Sequence, residues 1–290
     1  MHKGALFLVS LLWGSSFVFT KRYFVVMDPV TFTAYNFLIA GAVFTFFVCW
    51  RGQKLTFRLK EGIILGIFLF FLETPQMIGL SETTAANTAF ITALGILFIP
   101  FLEWWLYKHK ITLLTYVAIL VAFLGVYLLT GGVGNFNQGD LWIMLSALSC
   151  LFYMVFSNHF EQEKKSDMLI LCTQQFLVTG ALALITAFTL KIPLYLKTQG
   201  GSWLPLIVLA LVFTLLPYLL IQWAERYANE VEITFYSILE PVVGGLAAWT
   251  IGQEIPTLAM WLGGGLIVGA LIISESRKIV SATIPICFSK

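Results

Sequence analysis

The chain has 290 residues, of which 59% are hydrophobic and 11% charged, with a formal net charge of +2. A water-soluble domain carries roughly 45–50% apolar and about 25% charged residues, and its core cannot absorb such an excess. The small net charge, with no basic run on a polar domain, argues against nucleic acid as a partner.

The apolar residues gather in runs of about 20, the length an α-helix needs to cross about 30 Å of hydrocarbon. A membrane barrel would show shorter, alternating segments. In chain order the spacing predicts ten helices, over 4–26, 30–50, 62–80, 84–105, 112–130, 140–158, 168–190, 203–223, 231–250 and 257–274. Short connections leave no room for a soluble domain. Met1-His2-Lys3 opens like a signal peptide, but Lys21-Arg22 follows without a small-residue cleavage pattern, so the first span is expected to remain. Cys49, Cys150 and Cys172 lie in apolar runs and Cys287 in the tail, without CxxC or His-paired spacing. They read as buried small hydrophobes, with no disulfide, no metal site and no cofactor expected.

Sidedness follows from the loop cations. With the N-terminus inside, thirteen Lys and Arg fall on inner positions, while the outer side keeps Lys21, Arg22, Lys191 and Lys197. Both termini are therefore expected to be cytoplasmic, in a multi-pass protein of the cell (inner, cytoplasmic) membrane. The glycine-rich stretch 131–139 divides the chain into a first five-helix repeat over 1–135, a second over 139–275 and a cytoplasmic tail over 276–290. Placing Leu94 over Leu239 sets Thr84-Ala85 over Asn229-Glu230 and His109 over Glu254. An odd number of helices per half forces opposite orientations, the inverted-repeat design of many transporters. The fold class expected is thus an all-α polytopic membrane protein.

Four places in this order resemble the EamA-type, ten-helix members of the drug/metabolite transporter superfamily. They are Trp13-Gly14-Ser15-Ser16-Phe17; Gly79-Leu80 with the run 83–94 and Pro100; Leu239-Glu240-Pro241; and Gly252-Gln253-Glu254. The resemblance covers the chain to about Ser274. It departs at Tyr107-Lys108-His109-Lys110, where the first half often has a Gly-Glu turn. What the resemblance implies is a membrane transporter, commonly an exporter of amino acids or related metabolites.

A mid-helix carboxylate costs roughly 2.5–3.5 kcal/mol on insertion scales and tends to face protein or a water-filled cavity. Glu73, amid Phe70, Phe71 and Leu72 of the third helix, and Glu240 of the ninth meet that description. Each suits binding a substrate amine or carrying a proton, and each equally suits a hydrogen bond that fixes packing. Glu103, Glu225, Glu230, Glu232 and Glu254 sit near helix ends, where water or caps account for them. Pro75 and Pro217 fall in the third and eighth helices, Pro100 and Pro241 in the fourth and ninth. Each frees a carbonyl one turn earlier, at a candidate hinge or a static kink. Thr84, Thr88 and Thr92 form one stripe, facing either cargo or their own helix carbonyls. Gly265 with Gly269, and Gly244 with Ala248, read as packing surfaces.

Glu73, Gln76, Tyr218, Gln222, Trp13, Ser16, Tyr153 and Tyr236 supply the aromatic walls and few polar groups that small-molecule sites use. With Thr88, Thr92 and Glu240 they make up the candidate substrate site, between the third and fourth helices and the eighth and ninth. The function expected is a secondary transporter exporting a small amphipathic metabolite by alternating access, linked to protons or another gradient. A purine, nucleotide-sugar or drug cargo stays open, as do monomer and homodimer. An intramembrane enzyme lacks its motifs: there is no HExxH, and no base near Ser15 or Ser16. A channel lacks a filter-like loop, and no GxxxxGK[ST] loop supports nucleotide hydrolysis.

Overall fold

A computed structural model of the chain describes residues 2–108, 113–132, 136–161, 168–197, 201–225, 227–228 and 230–283. The described residues form ten helices, α1 His2–Tyr23, α2 Pro29–Trp50, α3 Leu59–Glu82, α4 in two pieces (Ala85–Thr92 and Leu94–Tyr107) and α5 Leu113–Leu129. The second half holds α6 Gln138–Glu161, α7 Met168–Thr189, α8 in three consecutive pieces (Leu204–Val208, Leu209–Leu215 and Leu216–Glu225), α9 Glu230–Thr250 and α10 Leu258–Thr283. Six of these helices have the length and composition to cross a membrane. The outward faces of the bundle carry exposed Phe46, Trp50, Leu113, Leu120, Phe188 and Leu258. An apolar exterior of that extent suits lipid.

The main packing partners are α1 with α9 and α8, α2 with α7 and α8, α3 with α6 and α7, α4 with α9 and α6, and α5 with α10. Exchanging each helix of the first five for the one five places later leaves this pattern unchanged. The pairs α2–α7, α4–α9 and α5–α10 map onto themselves, as two-fold-related halves require. The halves are interleaved, so neither is a separate body.

Small residues set the closest crossings. A Cβ on Gly14 of α1 would lie 2.7 Å from the Glu240 carbonyl oxygen and 2.9 Å from the Gly244 nitrogen, both backbone atoms of α9. A Cβ on Gly263 of α10 would likewise lie 2.5 Å from the Gly125 carbonyl oxygen of α5. Gly244 meets Ala89, in keeping with a packing role. Gly265 and Gly269, expected to pack, instead face open space. The contact face of α10 is turned toward Gly263 and Gly264, one helical step away.

Three further expectations change. The fourth helix is broken at Ala93, more than a turn before Pro100, whereas Pro75 and Pro241 lie inside unbroken helix. Before Pro217 the helix widens into a π-turn over Leu209–Leu215, where the Leu216 amide reaches Leu211. The proline ring crowds the carbonyl one turn back, and the wider turn accommodates it. The last helix continues to Thr283, so the expected tail begins as helix; residues 284–290, including Cys287, lie outside the described residues. Cys172 is buried, but Cys49 is exposed on the apolar exterior rather than buried.

Replacing Gly14 with Val should separate α1 from α9, because the atoms it meets are backbone and cannot rotate away. A loss of about 1–3 kcal/mol is expected, read as a lowered melting temperature of the detergent-purified protein.

Candidate functional site

Midway along the helices, Tyr218 of α8 is the hub of an aromatic compartment. Trp13 of α1 and Phe176 of α7 stand edge-on to it, with ring centroids 5.4 and 4.8 Å away. Tyr153 of α6 hydrogen-bonds to Tyr218, and the Glu73 carboxylate of α3 lies within electrostatic reach of the same phenol. Glu73 also interacts with Glu240 of α9, and Cys150 of α6 with both acids. Among the described residues neither carboxylate has a hydrogen-bond or ion-pair partner. Beside Glu240, a small, partly open gap of about 20 Å³ lies between α1, α8 and α9, lined by Val9, Ser10, Trp13, Ile221 and Tyr236 among others.

Six of the expected site residues, Trp13, Glu73, Tyr153, Tyr218, Tyr236 and Glu240, thus line this compartment or the space beside it. The others are differently placed. Gln76 donates to Thr92 at 3.0 Å, so these two polar groups satisfy each other. Thr88 donates to the Thr84 carbonyl at 2.9 Å, and Ser16 to the Trp13 carbonyl at 2.6 Å. Gln222 lies in α8, but its side chain falls outside the described residues. The compartment therefore draws on α1, α6 and α7 as well as α3, α8 and α9, while the α4 threonines turn to protein. Phe176 and Cys150 were not expected there. Nothing in their spacing marks them, since an apolar side chain on a buried helix face looks the same in sequence wherever that face points.

Every Lys and Arg in the sequence lies in a loop, a terminus or near a helix end. The compartment thus combines two acids and several π faces with no basic side chain, an arrangement that favours a cationic group.

A second polar cluster sits at the end bearing Lys21, around the short α3–α4 junction. The first two amides of α4, Ala85 and Ala86, donate to the two carboxylate oxygens of Glu254 at 2.7 and 3.2 Å. Thr84 caps the third, accepting from the Asn87 amide at 2.9 Å. Lys21 Nζ donates to the Thr83 carbonyl and, at 3.2 Å, to the Leu80 carbonyl, both at the end of α3. A cation thus meets a helix C-terminus and an anion a helix N-terminus, as the helix dipoles favour. Fully buried Asp140 completes the cluster. It accepts from the Thr83 hydroxyl at 2.5 Å, the Asn87 side-chain amide at 3.2 Å and the Asn137 backbone N–H at 3.2 Å. Glu254, expected to be a cap, is one, but of a helix in the opposite half. Asp140 had only its position after a glycine-rich loop to mark it.

The EamA-like transporter family matches residues 4–131 and 137–275. The chain belongs to that family. It is 29% identical over 272 residues to an "Uncharacterized transporter" of Archaeoglobus fulgidus, covering 93% of this chain and 84% of the relative. Against the "Uncharacterized inner membrane transporter YedA" of Escherichia coli K12 the identity is 23%, over 98% and 93% of the two chains. A solved crystal structure shares the fold, with a TM-score of 0.66 at 21% identity over 96% of this chain and 98% of that one. This EamA-like protein is accordingly a multi-pass membrane transporter. Three of its four motif stretches can now be placed: Gly14 seats α1 on α9, Glu240 faces the compartment, and Gly252-Gln253-Glu254 aims a carboxylate at α4.

Asp140→Ala would leave the Thr83 hydroxyl, the Asn87 amide and the Asn137 N–H short of a buried acceptor. It should lose about 3 kcal/mol of stability, measurable as a lower thermal midpoint, while Asp140→Asn, which keeps one acceptor, loses less.

Proposed function

We propose that this EamA-like protein is a secondary-active exporter of a small amphipathic metabolite, an amino acid or related compound. It works by alternating access between the repeats 1–135 and 139–275, coupled to protons or to the cargo's own gradient. Both termini lie on the cytoplasmic side of the cell membrane. The observation that carries this reading is the pairing of Glu73 with Glu240 inside the aromatic compartment. Two ionised carboxylates in one apolar space repel each other, and either a bound amine or a proton relieves that repulsion. Cargo and proton then compete for the same pair, which is the simplest chemistry for exchanging one for the other. The apolar part of the cargo lies against Trp13, Tyr153 and Tyr218.

The test is flux in proteoliposomes, with and without a pH gradient, using matched compounds: an aromatic amine, the corresponding amino acid and the corresponding carboxylic acid. Amine-bearing compounds are expected to move and the plain acid not to. Glu73→Gln should insert normally but lose about tenfold or more of the initial rate, the effect of removing a charge-assisted contact, along with its response to the gradient. Wild-type flux and pH response in that variant would remove Glu73 from the mechanism. No flux of any compound would count against the exporter reading as a whole.

A further inference from the structure

We propose that Glu254 and Lys21 form a one-sided lock that holds the transport route shut at the Lys21 end. Opening that end is then gated by release of α4 from Glu254. The idea stands on the cluster at the α3–α4 junction, not on the identity of any cargo.

Glu254 belongs to the turn after α9, in the second half, whereas the amides it binds open α4 in the first. Any motion that parts the halves at this end must break both bonds. The turn is built to deliver the carboxylate. Gln253 has a positive φ of 58°, the Glu254 amide folds back onto the Ala248 carbonyl at 3.0 Å, and a Cβ at Gly252 would come within 2.4 Å of that same oxygen. Only glycine permits that return. Lys21, attracted by Glu254, clamps the other limb of the junction through Leu80 and Thr83. Arg22 adds a bond to the Ile251 carbonyl, tying α1 to the same turn.

Such a lock is reversible because of which groups it satisfies. They are the terminal amides of one helix and the terminal carbonyls of another, and water reaches both once that end opens. The closed state gains the charge-assisted bonds and the open state exchanges them for hydration, so the equilibrium stays within reach of a ligand. In the sequence, the first half has no counterpart of Glu254. In the register that lays Leu94 over Leu239, the place of Glu254 in the first half is taken by His109, within Tyr107-Lys108-His109-Lys110. No acid stands there to cap α9 in return; His109 itself lies outside the described residues. At that opposite end, α1 meets α9 through Lys3 and His2 on Glu232, at 3.0 and 3.1 Å. Lys3 is 63% exposed, and a pair so open to water contributes little. Arg58 also joins the halves at that end, donating to the Phe160 carbonyl at 3.2 Å, so what distinguishes the Lys21 end is a carboxylate that caps a helix of the opposite half.

The experiment reads side-specific access without any substrate, so its outcome is independent of the flux assays. Thr88 is fully buried one turn below the α4 N-terminus. In a chain whose four cysteines are replaced by serine, Thr88→Cys is treated with a membrane-impermeant methanethiosulfonate from each face of oriented vesicles. With Glu254 intact, labelling from the Lys21 face is expected to be slow. Glu254→Gln should raise that rate by about tenfold, the effect of losing one charge-assisted bond, and leave labelling from the Lys3 face unchanged or lower. Lys21→Met should act in the same direction and provides the reading where Glu254→Gln yields no folded protein. An unchanged rate from the Lys21 face in a folded variant would overturn the lock. So would an equal rise from both faces, which reports general loosening.

Discussion

In an apolar surround, each backbone amide and carbonyl that a helix leaves free at its end must find a partner within the protein or reach water. At the α3–α4 junction that demand is met by Lys21 from α1 and Glu254 from the turn after α9, while Asp140 from α6 holds the side chains of Thr83 and Asn87. The junction spans only two residues, so it cannot satisfy itself beyond the Thr84 cap. Its dependence on distant partners is what ties the two halves together at this end.

The same scarcity of polar partners governs the middle of the protein. Glycines at the α1–α9 and α5–α10 crossings bring backbones close enough to leave little space. Against this dense frame, the compartment around Tyr218 holds two carboxylates that no described residue pairs. Their desolvation is a standing cost, and in a transporter such a cost is relieved by whatever binds. In the proposed cycle, dense crossings let the frame move as packed units and the unpaired acids mark the place of binding.

Much of this was legible in the residues. Runs of about twenty apolar side chains can only be spanning helices, so the ten elements appeared with ends close to those observed. Glu73 and Glu240 stood out because ionisable groups are rare in mid-helix, and both reached the compartment with Trp13, Tyr153 and Tyr218. The threonine stripe of α4 was ambiguous for a physical reason. A hydroxyl on a helix can always turn back to its own carbonyl, as Thr88 does, and spacing alone does not say which way it turns. The π-turn before Pro217 and the break at Ala93 were likewise invisible, because how a helix absorbs a missing hydrogen bond depends on what packs beside it.

What the sequence determined by itself was the medium and the order: an apolar chain, ten helices, two halves, and two acids in mid-helix. These follow from composition and from lengths along one dimension. Only the tertiary structure decided which groups meet. It joined Phe176 and Cys150 to the compartment, turned Gly265 and Gly269 of α10 into open space, paired Gln76 with Thr92, and set Glu254 on a helix 168 and 169 residues away in the chain. Such encounters depend on the rotation and crossing of helices, which are set by side-chain packing between them rather than by any local signal.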